Sequence, residues 1–257
     1  MNVLLLAAGL GTRLRPFTDD WPKCLMPIQG RPLLEHWLES LRELEVEHVW
    51  VNLHYMPDVV IDFLNQPQFV DWVSYIEEPE SLGTAGTLRQ LSAELGGATV
   101  MLIHADNWCQ CDFRAYLNSH RNRADTTHIT MMTFRTETPE SCGIVEIDAQ
   151  GLVQRFHEKV KNPPGNLANA AVYLVEPEIM EWLSRQTRSV TDFSTQVLPS
   201  FIGNINTWEN TNVHRDIGTL ESLIAAQSDT MFNQNFPPSK WQKHFEEHSI
   251  HQMLHIL

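Results

Sequence analysis

Residues 4–27 read LLLAAGLGTRLRPFTDDWPKCLMP, and the first eight of them set the architecture. Asn2 to Leu6 is a short apolar run that ends in the loop Gly9-Leu10-Gly11-Thr12-Arg13, as a buried parallel strand should. Glycines let a backbone wrap closely around a ligand, so that successive N–H groups can cradle phosphate oxygens. Arg13 and Lys23 add full positive charge to that loop. A dinucleotide fingerprint needs glycine where this chain has Leu14, and the P-loop pattern GxxxxGK[ST] is absent. A plain strand-to-helix corner accounts for the glycines but not for the cations and Pro22-Lys23 as well.

Beyond this segment, strand-like and helix-like stretches alternate. Pro32 suits the first turn of a helix with Leu33, Leu34, Trp37, Leu38, Leu41 and Leu44 on one stripe. His48 to Leu53 reads as a strand, Pro57 opens a helix carrying Val60, Ile61 and Leu64, and Val70 to Ile76 reads as the next strand. A helix from about Thr84 to Leu95 precedes a strand at Thr99 to Ile103. This rhythm predicts a mostly parallel sheet covered on both faces, with ligands beyond the carboxyl ends of its strands. The loops after Leu6, Ile76 and Ile103 are therefore expected to share one crevice. Further on, Gly143 to Asp148 and Leu152 to Phe156 flank the turn DAQG and read as a hairpin. Ala168 to Val175 reads as a strand, Pro177 as a helix start, and Thr219 to Ala226 as the last helix of the core. The tail after Ser228 mixes aromatics, histidines and a proline pair, a helix that packs on the body or on a partner. There is no internal repeat.

Composition narrows the function. With 257 residues and 42% apolar content the chain can bury a full core. A formal net charge of −14 argues against a nucleic-acid partner, which needs a basic face. Any anionic substrate must then be met by a few local cations or by metal ions. Cys24, Cys109, Cys111 and Cys142 form no CxxC pair, so free thiols in a reducing compartment are expected rather than a zinc site. The opening MNVLLLAAG is too short and lacks a basic lead for a signal peptide, and no segment has the length of a membrane span. A cytoplasmic location is the expectation.

The 4–27 segment resembles the signature of the sugar-phosphate nucleotidyltransferases (NDP-sugar pyrophosphorylases), LxAGxGTRLxPxTxxxPKxLxP. Four further segments are similar to that family's in the same order, so the resemblance covers residues 2 to about 226. EEPESLGTAGTL, residues 77–88, is similar to the loop that contacts the base, and its Gly83-Thr84-Ala85-Gly86 is closest to guanylyltransferases acting on mannose 1-phosphate. LIHADNW supplies Asp106, with Ala105 where the family usually has glycine. FHEKV supplies Glu158 and Lys159, and HRDIGTLESL supplies Asp216. Asn169 is followed by Ala170-Ala171 where many members have a glycine.

What the resemblance implies is an α/β, Rossmann-like domain with a mostly parallel mixed sheet, helices on both faces and a smaller hairpin-containing part. It implies one domain over 1–228, about 1–110 for the nucleotide and about 111–228 for the sugar, with 229–257 a partly helical tail. Arg13 and Lys23 would be catalytic, binding the triphosphate and the departing pyrophosphate. Leu6, Ala7, Ala8, Gly9, Gly11, Thr12, Gly83 and Thr84 would bind the nucleotide. Gly143, Glu158, Lys159 and Asn169 would bind the sugar phosphate. Asp106 and Asp216 would hold Mg²⁺, a hard cation that prefers oxygen, so His54, His104 and His157 are read as structural. The substrates implied are a nucleoside triphosphate, with guanine favoured, and a hexose or heptose 1-phosphate; a homo-oligomer is compatible. Two other readings stay open: a non-catalytic regulatory or nucleotide-sensing homologue, and a cytidylyltransferase acting on a polyol phosphate.

Overall fold

The computed structural model describes residues 1–95, 97–229 and 240–255. In chain order the first elements are β1 (Asn2–Leu6), α1 (Phe17–Asp20), β2 (Pro27–Ile28), β3 (Arg31–Pro32) and α2 (Leu33–Arg42). Next come β4 (His48–Leu53), α3 (Pro57–Leu64), β5 (Val73–Glu77), α4 (Thr84–Gln90) and α5 (Ser92–Leu95). The middle of the chain forms β6 (Val100–His104), β7 (Asn107–Cys109), α6 (Phe113–Arg121), β8 (Ile129–Arg135), β9 (Gly143–Ile147) and β10 (Val153–Glu158). The rest is β11 (Leu167–Val175), α7 (Pro177–Ser184), β12 (Ile205–Glu209), β13 (His214–Asp216), α8 (Leu220–Ala226), α9 (Lys240–Glu246) and α10 (Ser249–His255). This is the α/β class expected, a mixed sheet flanked by helices.

The elements group into two compact units that interleave along the chain. Unit one takes Met1–Leu4, Ser81–Ile103 and Cys111–Asn212; unit two takes Leu5–Glu80, His104–Gln110 and the chain from Val213 onward. The expected nucleotide and sugar halves of one domain are about 1–110 and about 111–228; residues beyond 212 group with Leu5–Glu80. The reason lies in long-range pairing: β13 runs antiparallel to β7, with Asp216 opposite Asn107, so residues beyond 212 return to the first half.

In unit two, β4 and β5 are parallel, with Val49 opposite Val73 and Leu53 opposite Glu77, and α3 connects them. Helix α2 buries the predicted stripe Leu33, Leu34, Trp37, Leu38 and Leu41, and stops at Arg42, leaving Leu44 outside it. The Trp37 indole N–H donates to the Asn107 carbonyl at 2.9 Å, tying α2 to β7. Thr219 and Ser222 close a reciprocal cap on α8, which fixes the exit of the chain from β13.

In unit one, β11 is antiparallel to β6, β8 and β9; β9 is antiparallel to β10, and β12 lies parallel to β8. The predicted hairpin is β9–β10, with Gly143 opposite Glu158. Strand β8 was not anticipated. Its Thr130 and Thr133 are fully buried, so no apolar alternation marks it. Thr130 is accommodated because its hydroxyl bonds His120 Nδ1 at 2.7 Å and its carbonyl accepts from the Tyr116 hydroxyl at 2.8 Å. The expected helix over Thr84–Leu95 is divided into α4 and α5 at Leu91. Among the described residues no helix is long and apolar enough to cross a membrane.

Candidate active site

In unit two the loops after β1, β5 and β6 come together, as expected. The Leu6 carbonyl accepts the Ala105 N–H at 3.0 Å. The Ala7 N–H donates to Asn52 Oδ1 at 2.7 Å, and Asn52 Nδ2 donates to Glu78 Oε1 at 3.0 Å. Asn52 and Glu78 are both buried, so the Ala7 amide, one of those expected at the nucleotide, is engaged by a polar pair beneath the loop. The sequence reading assigned neither residue a role. Their signals were a polar residue inside the apolar strand VWVNL and a second glutamate opening the segment from 77. From Ala8 the loop turns outward, with Gly9 and Thr12 exposed. Gly11 has φ +62°, and a Cβ there would lie 2.7 Å from Thr18 Cγ2 and 3.2 Å from Lys23 Cβ. The Thr18 hydroxyl donates to the Gly11 carbonyl at 2.9 Å, which closes the turn against the segment leading to Lys23.

Lys23 opens a single 3-10 turn, Lys23–Leu25, after Pro22. Its Nζ lies 2.8 Å from Asp106 Oδ2 and 3.0 Å from Asp216 Oδ1. Arg13 Nη2 takes the other Asp216 oxygen at 3.0 Å. Residues spread over two hundred positions thus form one cluster, in which Lys23 is buried and Arg13 is exposed. Burial alone would lower the Lys23 pKa, but the charges and hydrogen bonds of Asp106 and Asp216 outweigh it and raise it, so the ammonium persists at neutral pH. Burial likewise pushes Asp216 up, and Lys23 and Arg13 together overcome it and hold its carboxyl below the usual range. A Cβ at Gly218 would lie 2.8 Å from Asp216 Oδ1 and run into the Arg13 guanidinium, so glycine leaves room for the cluster. Asp106 and Asp216 are an oxygen donor pair of the kind a hard divalent cation accepts. No group of three or more His, Cys, Asp or Glu suited to a metal occurs among the described residues. Substrate oxygens and water would therefore have to complete a coordination shell around the two aspartates.

Unit one gathers the other predicted residues. A Cβ at Gly143 would lie 2.6 Å from Phe156 Cζ and 2.8 Å from Glu158 Oε2, so glycine lets the Glu158 carboxylate lie across the hairpin. Lys159 has φ +48° and an exposed side chain, its Nζ 3.7 Å from Glu158 Oε1. Asn169 Nδ2 donates to the Tyr173 hydroxyl at 2.6 Å, which is 3.3 Å from Ser194 Oγ. Burial pushes the Tyr173 phenol up to about 12, so it stays a neutral donor. The sequence reading missed Tyr173 and Ser194; the tyrosine was concealed in an apolar strand. Gly83 and Thr84 are bound to the 191–193 segment: the Ala85 N–H donates to the Thr191 carbonyl at 2.9 Å, and the Phe193 N–H to Thr84 Oγ1 at 2.7 Å. Of the histidines, His54 Nδ1 bonds the Glu78 carbonyl at 2.7 Å, and His157 Nε2 lies 2.8 Å from Glu146 Oε1.

The Ala170-Ala171 departure has a structural cost. Ala171 sits in the β11 irregularity between Asn169 and Tyr173 at φ +54°, where a Cβ crowds the backbone. Its N–H donates to Asn169 Oδ1 at 2.9 Å, which orients the Asn169 amide. Ala171→Gly is expected to raise stability by up to about 1 kcal/mol, or about 2–4 °C in Tm. A melting temperature unchanged or lowered by that replacement would contradict the strain.

The fold is α/β, and its site sets two cations against two carboxylates. Residues 2–232 match the family model for nucleotidyl transferases, and the chain belongs to that family. It is 30% identical over 235 residues to the mannose-1-phosphate guanylyltransferase of Mycobacterium tuberculosis, covering 89% of this chain and 64% of that protein. It is 31% identical over 196 residues to a probable mannose-1-phosphate guanylyltransferase 3 of Oryza sativa subsp. japonica, covering 74% of this chain and 54% of that one. The chain thus spans between about half and two thirds of the length of these curated relatives. Among solved structures, HddC from Yersinia pseudotuberculosis complexed with GMP-PN aligns with TM-score 0.73 at 25% identity, covering 88% of this chain and 97% of that one. A putative glucose-1-phosphate thymidylyltransferase from Bacillus anthracis shares the fold, with TM-score 0.80 at 23% identity over 91% of this chain and 98% of that one.

Proposed function

We propose that this chain joins a nucleoside triphosphate, GTP for preference, to a sugar 1-phosphate and releases pyrophosphate. The observation that carries the reading is the Arg13–Lys23–Asp106–Asp216 cluster at the mouth of a glycine loop. A phosphate oxygen of the sugar 1-phosphate attacks the α-phosphorus, a new P–O bond forms, and the bond from the α-phosphorus to the bridging oxygen of the β-phosphate breaks. A phosphate dianion is already a nucleophile, so the chain needs to supply no general base. What the reaction needs is alignment of two anions that repel each other, and orientation is worth roughly 7–11 kcal/mol in favourable cases. Arg13 and Lys23 bind the β- and γ-phosphates and stabilise the charge that builds on pyrophosphate. Lys159 takes the phosphate of the sugar, and Glu158 and Asn169 take its hydroxyls. Asp106 and Asp216 fit Mg²⁺, which when bound would neutralise phosphate charge during transfer.

The LGTAG loop and the likeness to guanylyltransferases support guanine and a mannose-like hexose 1-phosphate. The test follows pyrophosphate release with Mg²⁺, each of GTP, UTP, CTP and dTTP, and a panel of sugar 1-phosphates. Release is expected only when both substrates are present, fastest with GTP, and it is expected to vanish in excess chelator. Full activity in chelator would sink the metal assignment. No release with any pair, from folded protein that binds GTP, would favour a nucleotide-sensing homologue.

A further inference from the structure

Two residues before Lys23 stands Trp21, which is buried. Its indole N–H donates to the Leu25 carbonyl at 2.8 Å and so spans the turn that carries Lys23. Within that turn the Leu25 N–H donates to the Pro22 carbonyl at 3.0 Å, and the Met26 N–H to the Lys23 carbonyl at 3.1 Å. The turn is therefore closed from outside by one aromatic ring. That ring is itself covered by α9 and by His248 just after it, with α10 packed behind through His251 against Phe245 at 4.6 Å, and both helices lie beyond residue 232, where the family match stops. The Phe245 ring stacks on Trp21 at 5.6 Å, the His248 ring lies 4.3 Å from it, and the Trp241 ring 6.4 Å. Trp241 also meets Phe63 of α3 edge-on at 4.8 Å and stacks on Phe245 at 5.2 Å. Phe63 and Phe245 are both completely buried. A single aromatic stack thus runs from α3 through the C-terminal helices to the residue that staples the Lys23 turn.

We infer that α9 and α10 are a positioning brace for Lys23: Phe245 and Trp241 act through Trp21 to hold the Lys23 ammonium in place. The physical ground is the geometry that phosphoryl transfer demands, since an error of about 1 Å transmitted from a distance can cost about 10²-fold in rate. Lys23 has to satisfy two carboxylates at once, at 2.8 and 3.0 Å, and a turn free to shift loses one or both. The brace gives the segment beyond the family match a catalytic consequence without its touching substrate.

This rests on the function proposed above, so the test has an arm independent of turnover. In the full chain, Phe245→Ala is compared with Phe245→Leu, which keeps an apolar body over Trp21, and with Trp241→Ala. Amide hydrogen exchange is read at Leu25 and Met26, with the β11 amides of unit one as reference. The brace is expected to show as a loss of protection of about tenfold or more at Leu25 and Met26 in both alanine variants, with β11 unchanged and the leucine variant close to wild type. In pyrophosphate release the alanine variants are expected to lose about 10–100-fold in kcat. Their KM for the triphosphate should rise while that for the sugar 1-phosphate holds. Unchanged protection at Leu25 and Met26 in folded Phe245→Ala would overturn the brace. So would a fall in rate with neither KM altered and with the β11 amides equally deprotected, the mark of general unfolding. If the wild type releases no pyrophosphate, the proposed function fails and the exchange measurement alone decides the brace.

Discussion

Lys23→Met is expected to lower kcat by about 10²–10³-fold while leaving the chain folded. Methionine keeps the buried stem of the side chain, which is only 5% exposed, and removes the charge alone. The triphosphate would then meet a site that has lost its buried cation and kept both carboxylates. The surviving cation, Arg13, is exposed and bonded to a single Asp216 oxygen, so water screens it far more than it screens Lys23. Asp106→Ala is expected to give a comparable loss by removing the carboxylate at 2.8 Å from Lys23. A second readout separates charge loss from misfolding. Asp216 has its pKa depressed in the folded chain, so its contribution to stability is present above its unfolded pKa, near 4, and is lost as pH falls through the folded value. Lys23→Met removes the largest of the charges that oppose burial there, so the rise in melting temperature between about pH 2 and pH 5 should shrink in the variant. A folded Lys23→Met variant that turns over within about threefold of wild type would defeat the assignment of Lys23 to the triphosphate.

The same cluster shows how far the sequence could be read. Arg13, Lys23, Asp106 and Asp216 stand in segments that together resemble the family's, and the structure links them through three contacts of 2.8 to 3.0 Å, Lys23 to both aspartates and Arg13 to Asp216. Nothing local to Asn52 or Glu78 reveals that they are buried partners of the Ala7 amide, because that bond joins residues 45 apart. Helices α2, α3 and α7 were legible because proline and an apolar stripe mark their starts. Strand β8 was not, since its buried Thr130 is satisfied by α6 and its buried Thr133 by the Trp208 carbonyl of β12, elements the sequence did not announce. The division into two units was hidden for the same reason: it depends on β13 returning to β7, a pairing of residues more than a hundred positions apart. The tail was recognised as helical in part, but the choice between body and partner needed Trp21 and Phe63 in place.

Gly83→Ala is expected to cost about 2–4 kcal/mol, more than any surface replacement in the chain. Gly83 precedes α4 at φ +72°, ψ 167°, a conformation open in practice to glycine alone. Relaxing that angle is not enough, because a Cβ there would lie 2.5 Å from the Thr191 carbonyl oxygen. That oxygen cannot simply withdraw. It accepts the Ala85 N–H at 2.9 Å, and the backbone on either side of it is tied down, Thr191 and Asp192 both donating N–H groups to Gln196 Oε1 at 2.8 Å. Strain of about 1–3 kcal/mol therefore adds to a lost hydrogen bond worth about 1. At about 2–4 °C per kcal/mol, the melting temperature should fall by roughly 4–16 °C. Gly165→Ala is the control: no atom lies within 4 Å of its Cβ position, and its effect should stay within about 0.5 kcal/mol. The two variants separate a glycine required by close approach from one that is merely present. The loss should also reach the ligand, because the Gly83-Thr84 segment is the one proposed to meet the base. A Gly83→Ala protein that is still folded at the assay temperature should show a raised KM for GTP, with the KM for the sugar 1-phosphate little altered. A melting temperature within about 1 °C of wild type would mean that the 191–193 segment can give way, and that the lock between it and Gly83 is not rigid.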